Sequence, residues 1–206
     1  MGQTIHVMRH GEVENPEKIL YGRQPGWRLS ARGQEMAQTV ADWSSSLDLG
    51  AIHASPLQRA QETATPIAKK HNLEIYTDPN LIEAANIFEG KKFELGNGIL
   101  RHPTAWWHLR NPAKPSWGEP YEEQIERMLA AVFKARNAAK GRDAFVVSHQ
   151  LPIWILRSAV EGRRLMHDPR KRICTLASVT SFHLDDDGMI SGVSYAEPAK
   201  HLLPTK

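Results

Sequence analysis

The sequence predicts an α/β protein, a three-layer α/β/α sandwich with a mostly parallel sheet. The main observation is that short apolar segments alternate with amphipathic helical patterns along the chain. The second is composition: with 206 residues, 41% hydrophobic and 24% charged, the chain can bury a sizeable core. We expect a single domain over residues 1–206, with a cap-like insertion at about 84–120 after the third strand.

The first strand and the first helix are predicted by their apolar residues. Residues 4–8 form a short apolar run, which predicts a strand close to the N-terminus. Residues 30–47 predict a helix that Ser30 caps, because its hydroxyl can accept a hydrogen bond from the first turn. The apolar face of this helix is predicted to hold Met36, Val40, Trp43 and Leu47.

A second strand and a second helix follow. Residues 51–54 predict a buried strand that runs directly into Ser55. We expect Ser55 to cap the next helix, with Pro56 at its first position and Gln58 completing a capping box. Pro66 lies within the helical pattern and is expected to kink or end the helix.

The predicted insertion interrupts this alternation. Residues 74–77 predict a third strand, after which the periodic pattern is lost over about 84–120. A loop of this length is uncommon unless it is functional, so we interpret it as a cap over the site that contains helical pieces. Its three tryptophans are expected to pack the cap onto the body or to line a substrate pocket; they are Trp106, Trp107 and Trp117.

The alternation resumes after the insertion. Residues 121–140 predict the clearest helix of the chain, and residues 144–147 predict a fourth, buried strand. A further helix is predicted to open at Pro152 and to end at Gly162. The C-terminal part, residues 178–195, predicts a hairpin with an Asp-rich turn.

Composition and charge exclude several classes of protein. No window approaches the roughly 18 apolar residues of a membrane span, and no signal peptide is recognisable at the N-terminus. Cys174 is the single cysteine, so we expect a buried bystander in a cytoplasmic protein. The net charge of +3 is mild and its basic residues are scattered, which argues against nucleic acid and membrane partners. Arg163, Arg164 and residues 170–172 are expected to be exposed loop charges.

Reactive side chains follow three of the predicted strands. Arg9 and His10 follow the first strand, and His149 follows the fourth. Arg59 lies at the start of the helix after the second strand. Because the carboxyl ends of parallel strands share one edge of a sheet, these residues can meet in one pocket. Two guanidinium groups and a helix start match the oxygens of a phosphate, so we expect a phosphate site.

These side chains suggest phosphoryl transfer through a histidine. His10 can attack phosphorus if its imidazole is neutral and one ring nitrogen is free, while His149 can donate to the phosphoryl oxygens. The leaving oxygen needs an acid, for which Glu83 is the preferred candidate because it follows an apolar pair at a strand or turn end. Glu89 and Glu12 are the rival carboxylates.

Four segments along the chain read RHGE at 9–12, SPLQRAQETA at 55–64, LIE at 81–83 and VSH at 147–149. In this order, they resemble the histidine phosphatase superfamily in its phosphoglycerate-mutase-like branch. The resemblance covers nearly the whole chain. It implies a phosphohistidine on His10, a phosphate held by Arg9, Arg59 and His149, proton donation by Glu83, and no metal or other cofactor.

The resemblance also implies further residues near the phosphate. Asn15, Gly22 and Arg23 fall near a loop that contacts phosphate or substrate in this family, although their spacing from His10 is one residue shorter. Gly118-Glu119 resembles the family's Gly-Glu-Ser stretch, with Pro120 in place of the serine. The glycine-containing run that usually follows the acid is altered here, at residues 84–90.

The leading functional hypothesis is an enzyme, a phosphatase that hydrolyses a small phosphomonoester. A phosphoglycerate-type mutase is the alternative within the same chemistry; the absence of the long mutase-type insertion motif favours hydrolysis. Basic residues in the insertion keep the mutase open; they are Lys91, Lys92, Arg101, Arg110 and Lys114. A non-catalytic binder of phosphorylated partners is the alternative of another class. The expected partner is a small-molecule phosphate ester, and the sequence leaves a homodimer open.

Overall fold

A computed structural model describes residues 2–91 and 118–204 of the protein. Within these ranges the chain forms one six-stranded sheet and four α-helices. The strands are β1 (Thr4–Arg9), β2 (Leu49–Ala54), β3 (Ile75–Thr77), β4 (Asp143–Ser148), β5 (Val179–Leu184) and β6 (Ile190–Ala196). The helices are α1 (Ala31–Trp43), α2 (Gln58–His71), α3 (Tyr121–Ala138) and α4 (Gln150–Val160).

The sheet is mostly parallel, as predicted. Its strand order is β3-β2-β4-β1-β5-β6, in which β3, β2, β4 and β1 run parallel. The hairpin of β5 and β6 adds two antiparallel strands beside β1. The central strands β1, β4 and β2 are neighbours, so their carboxyl ends lie at one edge of the sheet and deliver the residues that follow them to one place.

Helices cover both faces of the sheet and confirm the three-layer architecture. On one face, α3 and α4 pack against the sheet through a core that includes Val146, Met128 and Leu156. On the other face, α1 and α2 pack around Met36 and Ile67. The central strands β1, β4 and β2 are therefore buried on both sides, which explains why they are apolar runs in the sequence.

Several local predictions are confirmed. The Ser30 side chain accepts a hydrogen bond from the backbone N–H of Gly33 and caps α1. The C-terminal hairpin forms, with Gly188 at φ +79° in its turn. Gly162, at φ +66°, follows the end of α4, where a left-handed residue is favoured.

Three local predictions were wrong. Helix α2 begins at Gln58, so Pro56 precedes it and Ser55 does not cap it; the Ser55 hydroxyl instead contacts His149. Of the two outcomes expected at Pro66, the end of the helix is wrong: α2 continues to His71, because packing of its buried face against the sheet outweighs one missing hydrogen bond. Trp43 is 37% exposed at the end of α1, where the helix changes to a 3-10 turn and leaves the apolar stripe.

Of the predicted insertion, the structure describes residues 84–91 and 118–120. These two ends meet in an isolated β-bridge between Asn86 and Gly118. The remaining positions singled out in the insertion lie outside the described residues; they are Lys92, Arg101, Trp106, Trp107, Arg110, Lys114 and Trp117. In the described ranges, none of the helices has the length and hydropathy needed to cross a membrane.

Candidate active site

His10 lies at the carboxyl end of β1 with only 2% of its surface exposed. Its Nδ1 is 2.8 Å from the carbonyl oxygen of Gly11. Because a carbonyl can only accept a hydrogen bond, Nδ1 carries the proton and Nε2 keeps its lone pair. Burial, Arg59 and Arg9 together lower the pKa of His10 well below 6.5. The imidazole is therefore neutral near pH 7 and ready to act as a nucleophile.

Arg9, Arg59 and His149 surround this imidazole with nitrogen donors. The His149 ring centroid is 5.1 Å from that of His10. Burial is the largest cause of the lowered pKa of His10 and of His149, and the charges of Arg59 and Arg9 lower both pKa values further. Arg9 Nε, Arg59 Nε and His149 Nδ1 are buried and have no hydrogen-bond partner within the described part of the chain. Buried polar atoms are normally satisfied, so these three nitrogens indicate an anion site.

Arg59 is fully buried and is held from two sides. Its Nη2 donates to the carbonyl oxygen of Gly22 at 2.7 Å. Its guanidinium carbon lies 4.7 Å from the centre of the Tyr21 ring, which is close enough for a cation–π contact. The loop after β1 therefore fixes the orientation of a cation that α2 contributes. Tyr21 was missed by the sequence analysis, because nothing in its neighbourhood marks an aromatic residue as an arginine support.

His149 is oriented by a residue that the sequence analysis assigned to a helix cap. His149 Nε2 lies 2.7 Å from Ser55 Oγ, and both side chains are fully buried. Burial, the nearby His10 and then Arg59 lower the pKa of His149 well below 6.5. With Nε2 engaged by Ser55, the unpaired Nδ1 is the atom left for a ligand.

Glu83 lies on the segment that follows β3 and lines a cavity together with Arg9 and His10. Its Oε1 accepts a hydrogen bond from the backbone N–H of Ala84 at 2.9 Å. Desolvation raises the pKa of Glu83 above 4.5, against the opposing effects of the Ala84 N–H and then of Arg59 and Arg9. Burial therefore outweighs the cations, which is the condition for a carboxyl group that donates a proton.

The cavity lined by Arg9, His10 and Glu83 has a volume of about 550 Å³. Tyr21, Tyr121 and Met166 supply apolar surface to its wall. Arg172 also lines it, which corrects the expectation of an exposed loop charge, and donates from Nε to His167 Nε2 at 2.8 Å. The cavity thus offers the phosphate site, apolar walls and a further cation.

A model of the histidine phosphatase superfamily (branch 1) matches residues 5–193 of the chain. The chain belongs to this superfamily. The resemblance drawn from its motifs is thereby confirmed, and the general catalytic type is that of a family with phosphatase and mutase members.

Individual proteins agree with this assignment. Uncharacterized protein Rv0525 of Mycobacterium tuberculosis is 55% identical over 195 residues, covering 95% of this chain and 96% of that protein. The protein named Probable phosphoglycerate mutase GpmB of Enterobacter sp. (strain 638) is 27% identical over 183 residues, covering 85% of this chain and 83% of that protein. The solved structure of Bacillus stearothermophilus YhfR has a TM-score of 0.77 at 27% identity and covers 91% of this chain and 94% of that chain.

In this member of the histidine phosphatase superfamily, the loop residues expected near the phosphate occupy different places. Gly22 lines the cavity and accepts from Arg59. The Asn15 side chain is engaged by its own loop, because it both donates to and accepts from the backbone of Ile19. Arg23 donates to the carbonyl oxygen of Glu83 and to Glu119, and lines an adjoining cleft.

The rival carboxylates lie elsewhere. Glu12 accepts from the Ser30 hydroxyl at the start of α1. Glu89 lines the adjoining cleft rather than the main cavity. Cys174 is buried, and burial raises its pKa, so its thiol is unreactive. The described ranges contain no group of three or more His, Cys, Asp or Glu residues that could hold a metal ion.

Proposed function

We propose that the protein is a phosphatase that hydrolyses a small phosphomonoester through a phosphohistidine on His10. The observation that supports this most directly is the free Nε2 of a buried, neutral His10 beside unpaired nitrogen atoms of Arg9, Arg59 and His149. A site built only for binding would need the donors but not a histidine held in its nucleophilic tautomer.

In the first step, His10 Nε2 attacks phosphorus and forms a P–N bond while the P–O bond to the leaving group breaks. Arg9, Arg59 and His149 donate to the non-bridging oxygens, where negative charge is redistributed in the transition state. Glu83 transfers its proton to the leaving oxygen, so that an alcohol rather than an alkoxide departs.

In the second step, water attacks phosphorus on the side opposite His10. Glu83, now ionised, accepts a proton from this water, and the P–N bond breaks. Inorganic phosphate leaves, His10 regains its neutral form and Glu83 is protonated again. Each group thus returns to its starting state, and no metal or cofactor is needed to balance the reaction.

The cavity suggests the kind of ester that binds. Its volume of about 550 Å³ exceeds what a phosphate group alone would fill. Apolar surface from Tyr21 and Tyr121 suits the organic part of the ester, and Arg172 suits a polar or anionic substituent on it. The substrate is therefore proposed to be a small organic phosphate.

The experiment is steady-state turnover of a panel of sugar phosphates, phosphoglycerates, nucleotides and aryl phosphates. We expect release of inorganic phosphate that His10→Ala abolishes, and a phosphorylated intermediate trapped by acid-free quenching in the wild type alone. Glu83→Gln should slow esters with poor leaving groups by about 100-fold and aryl phosphates much less. Turnover by the wild type without a phosphorylated His10 would contradict the mechanism.

A mutase is the second candidate, and the similarity to GpmB favours it. It uses the same phosphohistidine but returns the phosphoryl group to a hydroxyl of the bound acid. Product analysis separates the two: a phosphatase releases phosphate, whereas a mutase gives an isomeric ester without net release. Phosphate binding without turnover of any ester would instead indicate a binding protein.

A further inference from the structure

The segment that carries Glu83 is held by an unusual set of hydrogen bonds. Four consecutive backbone carbonyl oxygens, at residues 80–83, each accept from a side chain rather than from a neighbouring strand. The hydrogen bonds run from Arg127 to Asn80 and Ile82 (2.6 and 2.7 Å), from Ser148 to Leu81 (2.8 Å) and from Arg23 to Glu83 (2.7 Å). Side chains from distant elements therefore determine where this segment lies.

Glu119 connects the two arginines of this set. Its carboxylate accepts from Arg127 Nε at 2.6 Å and Nη2 at 2.9 Å, in a bidentate pair. It also accepts from Arg23 Nη2 at 2.9 Å. The Glu119 side chain is 11% exposed, so the carboxylate is largely withdrawn from water. Two guanidinium groups next to each other would repel, and this carboxylate offsets that repulsion.

Glu119 is itself fixed to the residues that follow the acid. Its backbone N–H donates to the carbonyl oxygen of Ala85 at 3.2 Å, and its carbonyl oxygen accepts from Gln124 Nε2 at 2.8 Å. Glu119 also lines the cavity, but Arg23 and Arg127 engage both of its carboxylate oxygens. Its position thus couples both sides of Glu83 to the start of α3.

We infer that Glu119 is a positioning residue for the general acid, acting through Arg23 and Arg127 on the backbone of residues 80–83. This inference rests on the proposed function, in which Glu83 protonates the leaving group. Proton transfer requires the carboxyl group within hydrogen-bond reach of the leaving oxygen, and a displacement of about 1 Å can cost about 100-fold in rate.

The test is Glu119→Gln, which keeps size and shape but removes the charge and one acceptor oxygen. We expect kcat to fall about 10- to 100-fold on alkyl phosphates and less than about 3-fold on p-nitrophenyl phosphate, with KM unchanged. The double variant with Glu83→Gln should lose no more than Glu83→Gln alone, because both changes remove the same contribution.

Glu161→Gln is the matched control. Glu161 forms a comparably buried ion pair with Arg157 on α4, at 3.2 Å, and does not contact residues 80–83. This variant should keep the activity of the wild type on both alkyl phosphates and p-nitrophenyl phosphate. Equal losses on both classes in Glu119→Gln, or additive losses in the double variant, would overturn the inference and leave Glu119 with a structural role.

Arg23→Met provides a second test if Glu119→Gln folds poorly, since the Arg23 side chain is 34% exposed. A positioning role predicts the same selective loss of kcat on alkyl phosphates, whereas a direct phosphate contact predicts a higher KM for every ester. The outcomes also separate the two proposals. If Glu83→Gln lowers kcat equally on alkyl and aryl phosphates, Glu83 is not the general acid and the proposed mechanism fails. If Glu83→Gln lowers kcat selectively on alkyl phosphates but Glu119→Gln and Arg23→Met do not, only the inference about Glu119 fails.

Discussion

At the residue scale, the two reacting groups have pKa values that move in opposite directions for the same physical reason. Burial disfavours the charged form of each group, which lowers the pKa of His10 and raises the pKa of Glu83. The buried arginines add to the first shift and oppose the second. A neutral base and a protonated acid can therefore coexist in one cavity.

We predict a bell-shaped pH dependence of kcat/KM with its optimum on the acidic side of neutrality. Activity should persist below pH 6.5, because protonation of His10 requires a lower pH than that of free histidine. Activity should fall at high pH as Glu83, whose pKa lies above 4.5, loses its proton. The measurement is kcat/KM of an alkyl phosphate against pH.

Glu83→Gln serves as the control in that experiment, because substrate ionisation is common to both proteins. The variant should keep the acidic limb and lose the enzyme's alkaline limb. An unchanged alkaline limb, or a wild-type optimum above about pH 8, would contradict the assignment of Glu83.

At the element scale, the turn after β1 is packed directly against the start of α1. A Cβ atom on Gly11 would lie 2.6 Å from the carbonyl oxygen of Gly33, and a Cβ atom on Gly33 would clash with the carbonyl oxygen of Glu12. Gly11 is therefore required by this close approach of two backbones rather than by a positive φ. Packing of α1 thus fixes the turn that carries His10.

We expect Gly33→Ala to destabilise the protein by up to about 2 kcal/mol. Glycine to alanine inside a helix normally stabilises by about 1 kcal/mol, but overpacking against a fixed backbone costs about 1–3 kcal/mol. Urea unfolding measures the difference. Gln38→Ala, at an exposed position of the same helix, is the control and should change the free energy of unfolding by less than about 0.5 kcal/mol.

At the scale of the whole molecule, the fold concentrates positive charge inside itself at one sheet edge. Arg59 is 0% exposed, and its hydrogen bond in the described part of the chain is to a neutral carbonyl. A buried charge without an ion pair costs stability, which the two apolar layers around the sheet must offset. We therefore expect bound phosphate to increase the free energy of unfolding of the protein.

Arg59→Met should therefore raise the unfolding free energy of the ligand-free protein by about 1 kcal/mol while removing activity. Phosphate at 100 times its Kd should stabilise the wild type by about 2.7 kcal/mol and leave the variant unchanged. Urea unfolding with and without phosphate measures both effects. Arg142→Met, at a half-exposed surface pair, is the control. A clear loss of stability in Arg59→Met would show that Arg59 supports the fold instead.

Sequence reasoning succeeded where one residue or one period carries the information. The apolar runs predicted the central strands, and Ser30 predicted the start of α1 within a residue. Sequence reasoning failed where a side chain has two possible partners: Ser55 fits a helix cap, but its hydroxyl contacts His149. Arg172 was expected to be an exposed loop charge. Its position in the cavity wall depends on the path of its loop, which the local sequence does not indicate.

The sequence by itself determined the order of the strands and helices, the family, and the residues at the ends of β1 and β4, because these depend on periodicity and on short motifs. The tertiary structure alone decided the His10 tautomer, the support of Arg59 by Tyr21 and the linkage of Glu83 to Glu119. Each of these depends on the distance between atoms far apart in the chain. Those distances are set by how the helices pack on the sheet, which no local pattern encodes.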